Sequence, residues 1–98
     1  MADRDHKITH IGEAIRGMLR QFRLSQKFDE QSLIASWERL VGKPVARHTV
    51  RLNIRDKVLF VQLDSPSLKN DLHYSKQRLL EVIEAEFGKG VIRDIVLT

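Results

Sequence analysis

Two alternating runs, TVRLNIR (residues 49–55) and VLFVQL (residues 58–63), stand two residues apart, and they commit this chain to a β-hairpin. Successive strand side chains point to opposite faces, so Val50, Leu52 and Ile54 share one face while Thr49, Arg51, Asn53 and Arg55 share the other. The second run places Leu59, Val61 and Leu63 together. If Asp56 and Lys57 form a two-residue turn, Arg55 lies opposite Val58. The inward pairs are then Ile54 with Leu59, Leu52 with Val61, and Val50 with Leu63. Asp-Lys is a weaker turn dipeptide than Asp-Gly, which leaves room for a looser turn.

The segments on either side carry helical spacing. Ile8, Ile11, Ile15, Met18 and Phe22 recur at steps of three and four, which predicts a first helix over residues 8–24 with one buried stripe, preceded by a flexible stretch over 1–7. Arg16, Arg20, Arg23 and Lys27 follow the same stepping and form a second stripe beside it. FDEQSLIASWERLVG predicts a second helix: Asp29 caps its first turn, Glu30 suits the positive end of its dipole, and Leu33, Trp37, Leu40 and Val41 face the core. Gly42 and Pro44 stop it before the first strand. After the hairpin, Ser65 caps and Pro66 opens a third helix. That helix is expected to be the longest element, its apolar face running from Leu68 and Leu72 through Leu79, Val82 and Ile83 to Phe87. GKG (88–90) ends it, and VIRDIVL gives a last strand covered in part on both faces. The order α-α-β-β-α-β predicts an α+β domain: a three-stranded sheet with helices packed mainly on one face, the last strand parallel to its predecessor or on the other edge.

Composition narrows the function classes. With 98 residues, 42% hydrophobic and 31% charged, the chain has the length for one core and the balance of an ordinary globular domain. The absence of cysteine removes disulfides, thiolate metal sites and cysteine nucleophiles, and fits a reducing compartment. MADRDHKITH lacks the apolar core of a secretory signal, and no apolar run approaches the ~20 residues that span a bilayer, so a cytoplasmic protein without a membrane partner is expected. Of the net charge of +4, a surplus of three falls within residues 1–27, which points toward a polyanionic partner without requiring one.

Candidate sites sort as follows. The GK of residues 42–43 is not a phosphate loop, because Trp37 and Pro44 stand where that loop needs glycine and a hydroxyl residue. His48 lacks a recognised nucleophile and orienting carboxylate, and His6 with His10 lacks a third metal ligand. Neither a small-molecule substrate nor a cofactor is implied, and enzymatic activity is not expected. Trp37 sits on a buried stripe and reads as core. The outer hairpin face joins Arg51, Asn53, Arg55, Phe60 and Gln62. Basic groups interleaved with an aromatic suit single-stranded nucleic acid, and an ordinary half-solvated sheet face accounts for the same residues.

SWERLVGKPVARHT, KVLFVQLDSPSLKNDLHYSKQRLLEVIEAEFG and IRDIVL together resemble the DciA family of bacterial proteins, over roughly residues 8–98. The most specific parts are tryptophan followed by Val-Gly and Ala-x-His-Thr, then the L-x-V-x-L strand running into Ser-Pro-Ser-Leu-Lys-Asn-Asp-Leu. The short form, without the extension that longer members carry after this domain, looks like versions in the Bacteroidetes. The resemblance implies a K-homology-like fold and a non-enzymatic accessory of DNA replication that contacts the replicative helicase DnaB, assists its loading, and binds DNA, single-stranded or duplex. Candidate contacts are then Arg16, Arg20, Arg23, Lys27, Lys43, Arg47, Arg51, Arg55 and Phe60. Nucleic-acid-binding K-homology domains use a Gly-x-x-Gly loop between helices, whereas Gly42-Lys43-Pro44-Val45 ends in valine, so their RNA-clamping groove is not expected. A protein-interaction module without DNA contact and an RNA-binding module remain as alternatives.

Overall fold

The computed structural model describes the backbone of residues 2–98 and the side chains from residue 12 onward. The expected flexible stretch over 1–7, Ile8, Ile11 and the His6–His10 pair lie outside those described side chains. The hairpin forms β1 (Thr49–Arg55) and β2 (Val58–Leu63), antiparallel, with Arg55 opposite Val58, Ile54 opposite Leu59 and Leu52 opposite Val61. Its turn is tight. Asp56 and Lys57 both take positive φ, 52° and 63°, as a turn whose twist matches the strands requires. The Lys57 carbonyl accepts from the Arg93 N–H at 2.7 Å, which ties the turn to the chain entering the last strand.

One expected pair does not form. Thr49 lies opposite Leu63 and Arg51 opposite Gln62, so Val50 is the extra residue of a bulge and is 60% exposed. The cause lies in Trp37. Its buried indole N–H needs an acceptor, and the bulge turns Thr49 inward so that Oγ1 accepts from Trp37 Nε1 at 3.0 Å. The same hydroxyl donates to the Val45 carbonyl at 2.8 Å.

The helices differ from expectation at their joints. The first helix, α1 (Ala2–Ala35), is one 34-residue element and the longest of the fold, and it runs through Asp29, the expected cap of a second helix, which therefore caps nothing. Neither glycine nor proline stands between Met18 and Val41 to interrupt it. The break falls at Ser36, after which α2 (Trp37–Val41) and α3 (Lys43–Arg47) carry the chain to β1. Gly42 ends α2 with φ 90° and ψ 164°, a conformation that side-chain-bearing residues strongly avoid. Pro44 does not stop the helical path: it occupies the first turn of α3, where its missing N–H costs little. The long third helix divides at Ser75 into α4 (Pro66–Tyr74) and α5 (Lys76–Phe87). Ser65 caps α4 as expected, accepting from the Leu68 N–H at 3.3 Å.

The last strand, β3 (Asp94–Leu97), pairs parallel to β2, giving the order β1-β2-β3 with β3 at one edge. It is shorter than VIRDIVL, because Val91 and Ile92 pack into the core ahead of it. Sheet and helices enclose one cluster of buried side chains. Leu59, Val61, Leu63 and Ile95 come from the sheet; Leu33, Trp37, Leu72, Leu79 and Ile83 come from the helices. At the rim of the core, Arg39 of α2 forks onto the Glu86 carboxylate of α5, an exposed pair that contributes little stability. The architecture is α+β with a three-stranded sheet, as the sequence indicates.

The first helix departs most from expectation. Among its described residues only Leu33 is buried. Ile15, Met18 and Phe22, expected in the core, are 52%, 70% and 61% exposed. The helix outruns the core: α1 packs against α2, α5 and β1, its residues Phe22 to Asp29 border a depression beside the α5–β3 connection, and the molecule extends 68 × 22 × 18 Å. Among the described residues no helix is long and apolar enough to cross a membrane.

Candidate functional site

Because β1 and β2 alternate, one face of the hairpin is left to solvent. Arg51, Asn53, Arg55, Phe60 and Gln62, with Thr98 beyond β3, line one open depression there. The pairing fixes its layout: Arg51 lies opposite Gln62, Asn53 opposite Phe60, and Phe60 in turn beside Val96 of β3. Arg55 reaches diagonally across the ladder, its guanidinium carbon 5.5 Å from the centre of the Phe60 ring. This is a cation–π distance, and the ring is half-buried beneath the cation. What meets solvent is a planar guanidinium over an aromatic ring, flanked by a second arginine and two side-chain amides. Such a surface can stack a flat ligand, hydrogen-bond its edge and attract an anion.

The nine candidate residues fall in three places. Arg51, Arg55 and Phe60 meet on the sheet. Arg16, Arg20 and Arg23 line a shallow surface on α1 together with Leu19, and exposed Lys27 follows on the same stripe. Lys43 and Arg47 are the first and last residues of α3, both exposed, and line neither surface. His48 has a carboxylate neighbour that the sequence did not reveal: its Nδ1 lies 2.7 Å from Asp64 Oδ1, and its carbonyl accepts from the Asp64 N–H, so the pair staples the start of β1 to the end of β2.

The structure adds a groove that the alternation of the strands does not reveal. Pro66, Lys69, Asn70, His73 and Lys76 face Ile95, Val96 and Leu97 across an open space of about 490 Å³ beside the free edge of β3. Its walls are basic and its floor apolar. Lys76 is already engaged, its Nζ 2.9 Å from Asp94 Oδ1. That hydrogen bond, with one from the Ile95 N–H, holds the Asp94 carboxyl below its usual value. The available signal is the stepping of Lys69, His73 and Lys76 by four and three, the same pattern as the basic stripe of α1. What the spacing cannot supply is the opposite wall, which exists only because β3 returns parallel to β2. The turn between α4 and α5 that borders this groove contains no glycine.

The family described as "Dna[CI] antecedent, DciA" matches residues 10–97. A UPF0232 protein of Mycolicibacterium paratuberculosis is 30% identical over 88 residues, covering 90% of this chain and 49% of the relative. Another from Rhodococcus jostii is 27% identical over 88 residues, covering 90% of this chain and 47% of the relative. A third, from Corynebacterium glutamicum, is 34% identical over 61 residues, covering 62% and 34% of the two chains. This chain thus spans about half or less of the length of these curated relatives, and no solved structure matches it. The family match runs from the first third of α1 to the last residue of β3, and on that ground the chain belongs to the DciA family.

Proposed function

We propose that this chain is a non-enzymatic accessory of DNA replication, K-homology-like in fold, that binds DNA on the outer face of its sheet, contacts the replicative helicase DnaB and assists its loading. Family membership supports a role linked to loading of that helicase. The observation that carries the DNA half is the gathering of Arg51, Asn53, Arg55, Phe60 and Gln62 on one open face, with Arg55 over Phe60. Single strands favour such a face, because every base presents a flat ring while the arginines meet the backbone regardless of sequence.

Titrating a fluorescent oligonucleotide across a salt series tests this. Arg51→Ala with Arg55→Ala should weaken binding and flatten the slope of log affinity against log salt by about 1.4 for single strands, ~0.7 for each phosphate contact removed. Phe60→Ala should weaken binding with the slope unchanged, since stacking releases no counterions. Absence of wild-type binding at low salt would sink the DNA half. For the helicase half, a pull-down with DnaB after nuclease treatment should retain the complex; loss on nuclease treatment would show that DNA alone bridges the two.

A further inference from the structure

The arrangement of α1 calls for a ligand that the sheet face does not explain. At about 100° per residue, Ile15, Met18, Leu19 and Phe22 fall within an arc of about 100° on the helix surface. Each is at least half exposed. Five turns further on, at ~3.6 residues per turn, the same arc carries Leu33, which is fully buried. That arc is apolar and exposed through residues 15–22, turns polar at Gln26 and Asp29, and is buried at Leu33; Phe22 also borders a depression with Phe87, Gly88 and Val91, and the exposed stretch is an apolar patch of the kind that marks an interaction site.

We propose that this face docks an amphipathic helix of a protein partner, one whose apolar stripe is edged with Asp and Glu. The inference rests on the reading that the chain has a protein partner. Charge selects this occupant. Arg16, Arg20, Arg23 and Lys27 fall in an arc of about 60° directly beside the apolar one. The opposite flank, Ala14, Gln21 and Ser25, is uncharged. A second copy laid antiparallel would set the basic flank against itself, and one laid parallel would set it against the neutral flank; only an acidic partner pairs the cations. A membrane surface fits less well. Leu24 and Phe28, 63% and 71% exposed, lie on the far side of the helix, where a membrane would leave them in water. Their position suits a helix approached by protein from more than one side.

The probe is a synthetic amphipathic helix of three heptads with leucine at the core positions and glutamate on both flanks, compared with the same peptide carrying lysine for glutamate. Fluorescence anisotropy with the full chain should show the glutamate peptide binding roughly tenfold tighter or more, as like charges at an interface are strongly unfavourable. Met18→Asp with Phe22→Asp should abolish binding. Both side chains lie outside the core, so an unchanged circular dichroism spectrum should accompany the loss. Arg16→Glu, Arg20→Glu and Arg23→Glu together should reverse the preference between the peptides. Arg51→Ala with Arg55→Ala should leave peptide binding intact, so failure of the DNA reading and failure of this one are separable. Four results would each overturn the proposal: equal or absent binding of the two peptides, binding retained by the Asp variants, a dimer in sedimentation equilibrium that those variants abolish, or binding to phosphatidylglycerol vesicles tighter than to the glutamate peptide.

Discussion

Trp37 is 5% exposed, and burial of its indole makes an acceptor obligatory. Thr49 supplies it, and the price is the bulge that throws Val50 out to solvent. The arrangement makes three substitutions diverge. Thr49→Val keeps the branched shape but orphans the indole N–H, and should cost about 1–3 kcal/mol. Trp37→Phe loses the bond and some packing volume, for about 2–4 kcal/mol. Val50→Asp should change stability by no more than about 0.5 kcal/mol, as surface substitutions do. Urea unfolding followed by far-ultraviolet circular dichroism measures all three. A Val50→Asp cost in the range of a buried charge would mean that Val50 faces the core and that the strand alternates without a bulge.

At the scale of elements, helical joints divide into two kinds. Ser36 and Ser75 interrupt their helices by one residue each and keep helix-like backbone bonds, whereas Gly42 and Gly88 adopt φ of 90° and 98° with extended ψ. At Gly42 an added Cβ would meet only the Pro44 side chain, at 3.8 Å, so the cost of Gly42→Ala is backbone strain and not collision. It should lower stability by about 1–3 kcal/mol, measured by thermal unfolding. Legibility in the sequence follows the same division. The hairpin register and the Ser65 cap were readable because a period of two and a local hydrogen bond are encoded in neighbouring residues. Arg51, Asn53, Arg55, Phe60 and Gln62 were readable as one face for that reason. The Ser36 joint was not: Asp29 offers cap chemistry that the uninterrupted helix never uses. The bulge depends on a partner twelve residues away in sequence, and the α4–β3 groove on a parallel pairing that no local pattern encodes.

At the scale of the whole molecule, the radius of gyration is 18.9 Å. A compact chain of this length would give about 13 Å. Small-angle scattering of the free protein should therefore return a value near 19 Å, and one near 13 Å would show α1 folded back on the core. The sequence contained the apolar stripe of α1 in full but not its fate, because periodicity reports which residues share a face and not whether anything covers it. That uncovered length also sets a distance. Arg16 precedes Leu33 by 17 helical residues, about 25 Å along the axis at ~1.5 Å each. A body gripped at Arg16 would be held that far from the buried end of the helix, so two bodies bound there and on the globular part would stay apart by a span that the helix itself sets.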